Sequence, residues 1–146
     1  MKSGLIAALF AVSFTAAQAQ DAMTITVEDD FDNVAFAVEG AILGQGLVVD
    51  SVSHVGEMLN RTAADVGGGE PVYERADVYN FCSATITREV MEADPNNIMH
   101  CPYGIFIYQL AGNEEEVVVG FRFIDSESMD PVNDLLGKIL FDATAE

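Results

Sequence analysis

Apolar residues recur along this chain with two different spacings, and the change from one to the other predicts where helices and strands lie. Phe31, Val34, Val38 and Ile42 follow one another at intervals of three and four residues. That spacing is typical of a helix with one buried face. The stretch from Tyr103 to Leu110 is instead rich in aromatic and β-branched residues, which favours a strand.

Five strands and three helices are predicted in this way. The strands are expected at 24–27, 47–55, 72–81, 103–110 and 116–124, and the helices at 31–45, 85–93 and 131–141. Gly44 and Gly46 are expected to end the first helix, and Pro131 to open the last. The order β-α-β-β-(α)-β-β-α predicts an α+β domain with a single, mainly antiparallel sheet of four to five strands and helices packed on one face. Because no repeat or internal linker interrupts the chain, residues 20–146 are expected to form one domain.

The first nineteen residues have the features of a signal peptide. Lys2 supplies a positive start, Leu5 to Ala16 form a short apolar run, and Ala17-Gln18-Ala19 satisfies the small-x-small cleavage rule. A membrane span needs about 20 apolar residues, so we expect cleavage before Gln20 and no span in the mature protein. An uncleaved anchor is the alternative. The mature protein is therefore expected to be periplasmic or secreted.

The charge of the chain restricts its partners. Six basic residues face 24 acidic ones, and removal of Lys2 with the signal peptide leaves a net charge of −19. Such a surface repels nucleic acid and anionic lipid. It favours a cationic partner, such as a basic electron carrier or a basic subunit, although solubility in a salty environment explains the charge as well.

The two cysteines lie at the ends of consecutive predicted strands. Cys82 closes one strand and Cys101 opens the next, so antiparallel pairing would bring the two sulfurs together. In an exported protein this arrangement predicts a disulfide. The alternatives are a redox-active pair, for which no CxxC motif is present, and a metal site that also uses His100.

His54 and Met58 are the candidate cofactor ligands. Four residues apart, they would share a face if this stretch were helical. An imidazole and a thioether together can ligate haem iron or copper, and Asp50 or Glu57 could orient the imidazole. The alternative is a hydrogen-bonded histidine at a strand end beside a methionine of the core, and Gly56 between the two residues weakens the helical hypothesis.

Four segments together resemble a known family. They are GLVVDSVSHVGEML, YNFCSA, MEADPNNI and CPYGIFIY, and they are similar to the domain of unknown function 302, more narrowly to its small exported members in proteobacteria. The resemblance extends from about Phe31 to Phe123. It implies a compact α+β domain, often dimeric, with no established enzymatic activity and therefore no catalytic residues to carry over. Phe81-Cys82 and Cys101-Pro102 match family positions, but many members lack one or both cysteines, so the fold cannot depend on them.

Three hypotheses about function follow. The first is a non-enzymatic periplasmic accessory or binding protein, acting as a homodimer. The second is a small haem- or metal-binding redox protein that uses some of His54, Met58, Cys82, Cys101 and His100. The third is an enzyme of a type without a recognisable motif, because neither histidine lies in a known serine or cysteine constellation.

Overall fold

A computed structural model of the protein describes residues 21–145. The predicted signal peptide at 1–19 lies outside the described residues. The strands are β1 (Ala22–Val27), β2 (Val49–His54), β3 (Tyr73–Phe81), β4 (Tyr103–Leu110) and β5 (Val117–Arg122), and the helices are α1 (Phe31–Gly44), α2 (Val55–Thr62), α3 (Ala84–Ala93) and α4 (Asp130–Thr144). Short 3₁₀ turns at Pro95–His100 and Glu127–Met129 precede β4 and α4.

The five strands form one antiparallel sheet in the order β1-β5-β4-β3-β2. The α+β class and the single sheet are therefore confirmed. Alternate residues of β4 face opposite sides: Tyr103, Ile105 and Ile107 are buried, whereas Gly104 and Phe106 are only partly so. This alternation is expected where one face of a sheet packs on the core.

Helices α1 and α4 pack against each other and cover the buried face of the sheet. The predicted apolar face of α1 is confirmed, because Phe31, Val34, Val38 and Ile42 are all at most 4% exposed. They share one core with the inward residues of the central strands and of α4; this core includes Phe81, Ile105, Ile107, Val117, Val119, Phe121, Val132, Leu136 and Ile139. Within residues 21–145 no helix is long and apolar enough to cross a bilayer.

One helix was not predicted. The second strand ends at His54 rather than at residue 55, and α2 begins immediately at Val55. Gly56, which weakened the helical hypothesis, is required by packing: a Cβ there would lie 2.7 Å from the backbone nitrogen of Ala76. The glycine lets the first turn of α2 approach the β3 backbone closely, so tertiary contact outweighs its low helix propensity.

Candidate functional site

The antiparallel register of β3 and β4 brings the two cysteines together. Phe81 is paired with Tyr103, which places Cys82 and Cys101 next to each other just beyond the paired ends of the strands. Their Sγ atoms are 2.9 Å apart, and both residues are thiols in this structure. The predicted proximity is present, and the disulfide itself stays a prediction.

The surroundings of Cys82 disfavour its thiolate. Although part of the side chain is exposed, desolvation of the sulfur, its hydrogen bond with Cys101 and the carboxylate of Asp50 raise the pKa of Cys82 from 9.0 to about 12. Catalytic cysteines are activated by the opposite shift, to a low pKa. Cys82 therefore lacks the lowered pKa that an activated nucleophile has.

His54 lies at the junction of β2 and α2, where the register pairs it with Asp77 of β3. The distance between Nδ1 of His54 and Oδ1 of Asp77 is 2.8 Å. Because a carboxylate oxygen accepts, the imidazole N–H at Nδ1 is the donor; in the neutral imidazole, Nε2 then carries the lone pair. The His54 side chain is 59% exposed and that of Asp77 only 11%. A carboxylate that is nearly buried thus fixes the orientation of an imidazole that solvent and ligands can reach.

The sequence-based hypothesis assigned this orienting role to Asp50 or Glu57. Neither makes the hydrogen bond. Glu57 lines the cavity beside His54, and Asp50 lies near Cys82 instead. Asp77 was not predicted because it is far from His54 in the sequence, and only the pairing of β2 with β3 brings the two residues together.

The cavity beside His54 has a volume of about 380 Å³. We call it the His54 cavity; its lining includes His54, Glu57, Arg61, Glu74, Arg75 and Asp77. Met58, the predicted second ligand, is not part of this lining and is 43% exposed. Among the residues that the structure describes, no group of three or more His, Cys, Asp or Glu side chains is arranged to hold a metal ion.

His100 lies at a second cavity, which extends from the outward face of the sheet to Leu136 of α4. This Gly104 cavity measures about 360 Å³, and its lining includes Asn80, Met99, His100, Gly104, Phe106 and Arg122. Of these residues, only His100 is a candidate ligand from its sequence position. His100 is the last residue of the 3₁₀ turn before β4. The alternation of side chains along a strand therefore does not apply to it, and it contributes to the cavity lining.

A third concave region is strongly acidic. The loop before α1 and the β4–β5 hairpin meet there and contribute Glu28, Asp29, Asp30, Glu114, Glu115 and Glu116. The hydrogen bonds from the Asn33 side chain and the Asp30 backbone lower the pKa of Asp29, so this carboxylate stays charged. The negative charge of the chain is thus partly concentrated at one end of the sheet.

Comparison with known proteins identifies the domain. Residues 23–130 match the family model described as domain of unknown function DUF302. The crystal structure of an uncharacterized conserved DUF302 protein from Bacillus stearothermophilus superimposes with a TM-score of 0.62 and 15% sequence identity, covering 87% of this chain and 95% of the other. At that identity the likeness concerns the fold alone. No curated protein matches the chain in sequence.

Proposed function

The chain belongs to the DUF302 family, and from this premise we propose that it is a non-enzymatic accessory protein of the periplasm that works by binding. The observation that supports the proposal is the Gly104 cavity. It combines a guanidinium, an imidazole and an amide with an aromatic ring on a rigid sheet. Ligand sites commonly have this composition, with apolar walls and a few convergent polar groups.

Export is part of the proposal. The features of residues 1–19 support it, as does the juxtaposition of Cys82 and Cys101, because disulfides persist in oxidising compartments. N-terminal sequencing of protein from the periplasmic fraction is expected to begin at Gln20.

Native mass spectrometry of protein purified from the cells that make it tests the proposed function. A binding protein should retain a discrete non-covalent adduct, which activation in the gas phase releases as a small molecule or a second polypeptide. A protein that is recovered only without adducts and only from the cytoplasm would contradict the proposal.

We further propose that the protein is a homodimer that associates through α1. Two large apolar side chains lie on the outer face of the helix, beside the exposed Glu39: Phe36 is 78% exposed and Leu43 is 53% exposed. Gly40 and Gly44 lie on the same outer face, and a Cβ at either position would meet no atom. A second copy of α1, related by a twofold axis, could place its Phe36 in these gaps. Such self-complementarity is what an isologous interface requires.

A basic protein is the second kind of partner that we propose. The net charge of −18 and the acidic region at the β4–β5 hairpin support it, because opposite charge accelerates encounter and suppresses wrong partners. The electrostatic nature of such a complex predicts that its affinity falls as salt is raised.

A small haem- or metal-binding redox protein is the second candidate function. The observation that favours it is the Asp77–His54 hydrogen bond, because metal-binding histidines commonly donate their other N–H to a carboxylate. A visible absorption spectrum and metal analysis of the native protein test this candidate. If a cofactor is bound, His54→Ala should abolish the spectrum and leave the fold intact, since the side chain is mostly exposed.

A further inference from the structure

Two glycines occupy interior positions of the sheet, and their surroundings differ. A glycine weakens a strand, and it often marks a place where a ligand or another group approaches the backbone closely. At Gly120 that group is part of the protein: a Cβ there would lie 2.6 Å from Cζ of Phe106, so the aromatic ring fills the gap. At Gly104 the nearest side-chain atoms are 3.3 and 3.6 Å away, on Val78 and Asn80. Gly104 is therefore less tightly covered than Gly120, and it lines the cavity.

The sheet register sets the walls of this cavity. Gly104 is paired with Asn80 on one side, and the register of β4 with β5 places Arg122 on the other. All three positions face away from α1 and α4, as does Phe106 two residues further along β4. Gly104 is thus a gap between two polar side chains, with an aromatic ring on a third side.

The polar groups around the gap are available to a ligand. Arg122 is exposed and makes no ion pair within residues 21–145, unlike Arg75 with Asp32 and Arg88 with Glu92. The amide nitrogen of Asn80 donates toward Ser51 and Ser53 of β2, while its Oδ1 lies over Gly104. A cationic donor on β5 and a neutral acceptor on β3 therefore lie on the two sides of Gly104, each about one strand spacing away from it.

We propose that the Gly104 cavity binds a small organic carboxylate that carries an apolar or aromatic group. The guanidinium of Arg122 would receive the carboxylate, His100 at the rim would add a donor, and the apolar group would contact Phe106 and Met99. The proposal deepens and rests on the proposed function, since it names the ligand class of a binding protein.

The charge of the protein bears on this assignment. In a chain of net charge −18, acidic residues are plentiful, yet Arg122, like Arg61 and Lys138, has none at ion-pair distance in the described structure. Of these three cations, Arg122 is the one that lines the Gly104 cavity. Asp21 also lines the cavity and would repel an anion placed near it. Asp21 lies next to Arg122 across the pairing of β1 with β5, so the carboxylate is expected between Arg122 and His100, and a hydrogen-bond donor of the ligand near Asn80 Oδ1.

Titration of the ¹⁵N-labelled protein with benzoate, followed by two-dimensional NMR, tests the proposal. Benzoate and phenylacetate at millimolar concentration should shift the amide signals of His100, Gly104 and Phe106. Benzamide has the same ring but no charge, and it should bind about tenfold more weakly because the charge-assisted hydrogen bond is absent.

Two variants and a control make the result decisive. Arg122→Gln should weaken benzoate binding about tenfold, whereas Arg88→Gln, which removes an exposed arginine from α3, should leave it unchanged. Gly104→Ala places a methyl group 3.3 Å from Cγ1 of Val78, a tight contact that this side chain relieves by a shift of a few tenths of an ångström, so the fold should persist while benzoate binding is lost.

The proposal would be overturned if neither carboxylate shifts these signals, if benzamide binds as well as benzoate, or if Arg122→Gln binds like the wild type. A discrete adduct in native mass spectrometry combined with no carboxylate binding would reject the ligand class and retain the proposed function.

Discussion

Cys82 and Cys101 show how strand register determines chemistry at the scale of single residues. They are 19 positions apart in the chain, and the pairing of β3 with β4 reduces that separation to a sulfur–sulfur contact of 2.9 Å. The sequence could predict this, since both cysteines lie at recognisable strand ends. What it could not predict is the local charge. The carboxylate of Asp50 lies close to Cys82 only because β2 is paired with β3.

The first prediction is that these cysteines are joined by a disulfide in the exported protein. Freshly isolated protein should contain no alkylatable thiol and should be two mass units lighter than after reduction. The cross-link is expected to stabilise the domain by about 3 kcal/mol relative to the Cys82→Ser, Cys101→Ser double variant, by restricting the unfolded chain. Two free thiols in protein taken directly from the periplasm would contradict this.

The second prediction concerns the reduced protein and its dependence on pH. Folding raises the pKa of Cys82 from 9.0 to about 12, so the folded state holds this proton more tightly than the unfolded state does. The resulting stabilisation is fully present below about pH 9 and is lost as pH rises toward 12. Denaturant unfolding of the reduced wild type and of Cys82→Ser should be compared across this pH range, and the free energy of unfolding should fall more steeply with pH in the wild type. Equal slopes would mean that the thiol titrates normally.

His54 illustrates the limit of prediction at this scale. Its position after a strand and its rarity in the chain identified it from sequence, but its partner Asp77 depends on a pairing between strands that are more than twenty residues apart. The same reason hides the neighbours of Arg122. The sequence identifies a residue of the right chemical type. The strand register is needed to predict which residues come together at one site.

At the scale of elements, α1 was predicted well because its apolar spacing is regular and its inner face contacts the central strands. Helix α2 was not predicted. Within residues 21–145 it buries only Gly56, so it lacks a wide apolar stripe, and its position depends on the close contact with Ala76. A helix face that is buried along its length produces a periodic apolar pattern in the sequence, whereas a single close contact between a helix and a strand backbone does not.

The third prediction tests the two faces of α1 with one type of substitution. Val38 is fully buried, so Val38→Asp places an unpaired charge in the core and should cost roughly 4 kcal/mol or more, leaving the domain largely unfolded. Phe36→Asp introduces the same charge two residues away on the exposed face and should keep the far-ultraviolet circular dichroism of the wild type. Equal thermal melts for wild type and Val38→Asp would show that the face is assigned wrongly.

At the scale of the whole molecule, two copies that associate through α1 bring together two strongly negative surfaces. The fourth prediction is therefore that the homodimer strengthens as salt is raised, because screening weakens the repulsion while the apolar contact remains. Analytical ultracentrifugation should show more dimer at high salt. Phe36→Asp should be monomeric under all conditions, whereas Phe141→Asp, at an aromatic position of α4 that is 66% exposed, serves as the control. A dimer that is unaffected by Phe36→Asp would place the interface elsewhere.

The arrangement of the molecule explains why its binding region could not be predicted from sequence. Residues of β1, β3, β4, β5, α4 and the turn that ends at His100 line the Gly104 cavity, and none of these segments carries a motif of its own. Its central feature is an absent side chain. Gly104 lies in an otherwise regular strand sequence. The sequence does not indicate whether neighbouring atoms fill the volume that a side chain would occupy, as they do at Gly120, or whether that volume borders a cavity.

The central claim is that this protein binds a small molecule in the Gly104 cavity. The most direct test adds the small-molecule fraction of the periplasm to the ¹⁵N-labelled wild-type protein and compares the spectrum with that of Gly104→Ala. The account predicts shifts that are centred on His100, Gly104 and Phe106 in the wild type and absent in the variant. Shifts that are confined to the surroundings of His54, or that are identical in both proteins, would contradict it.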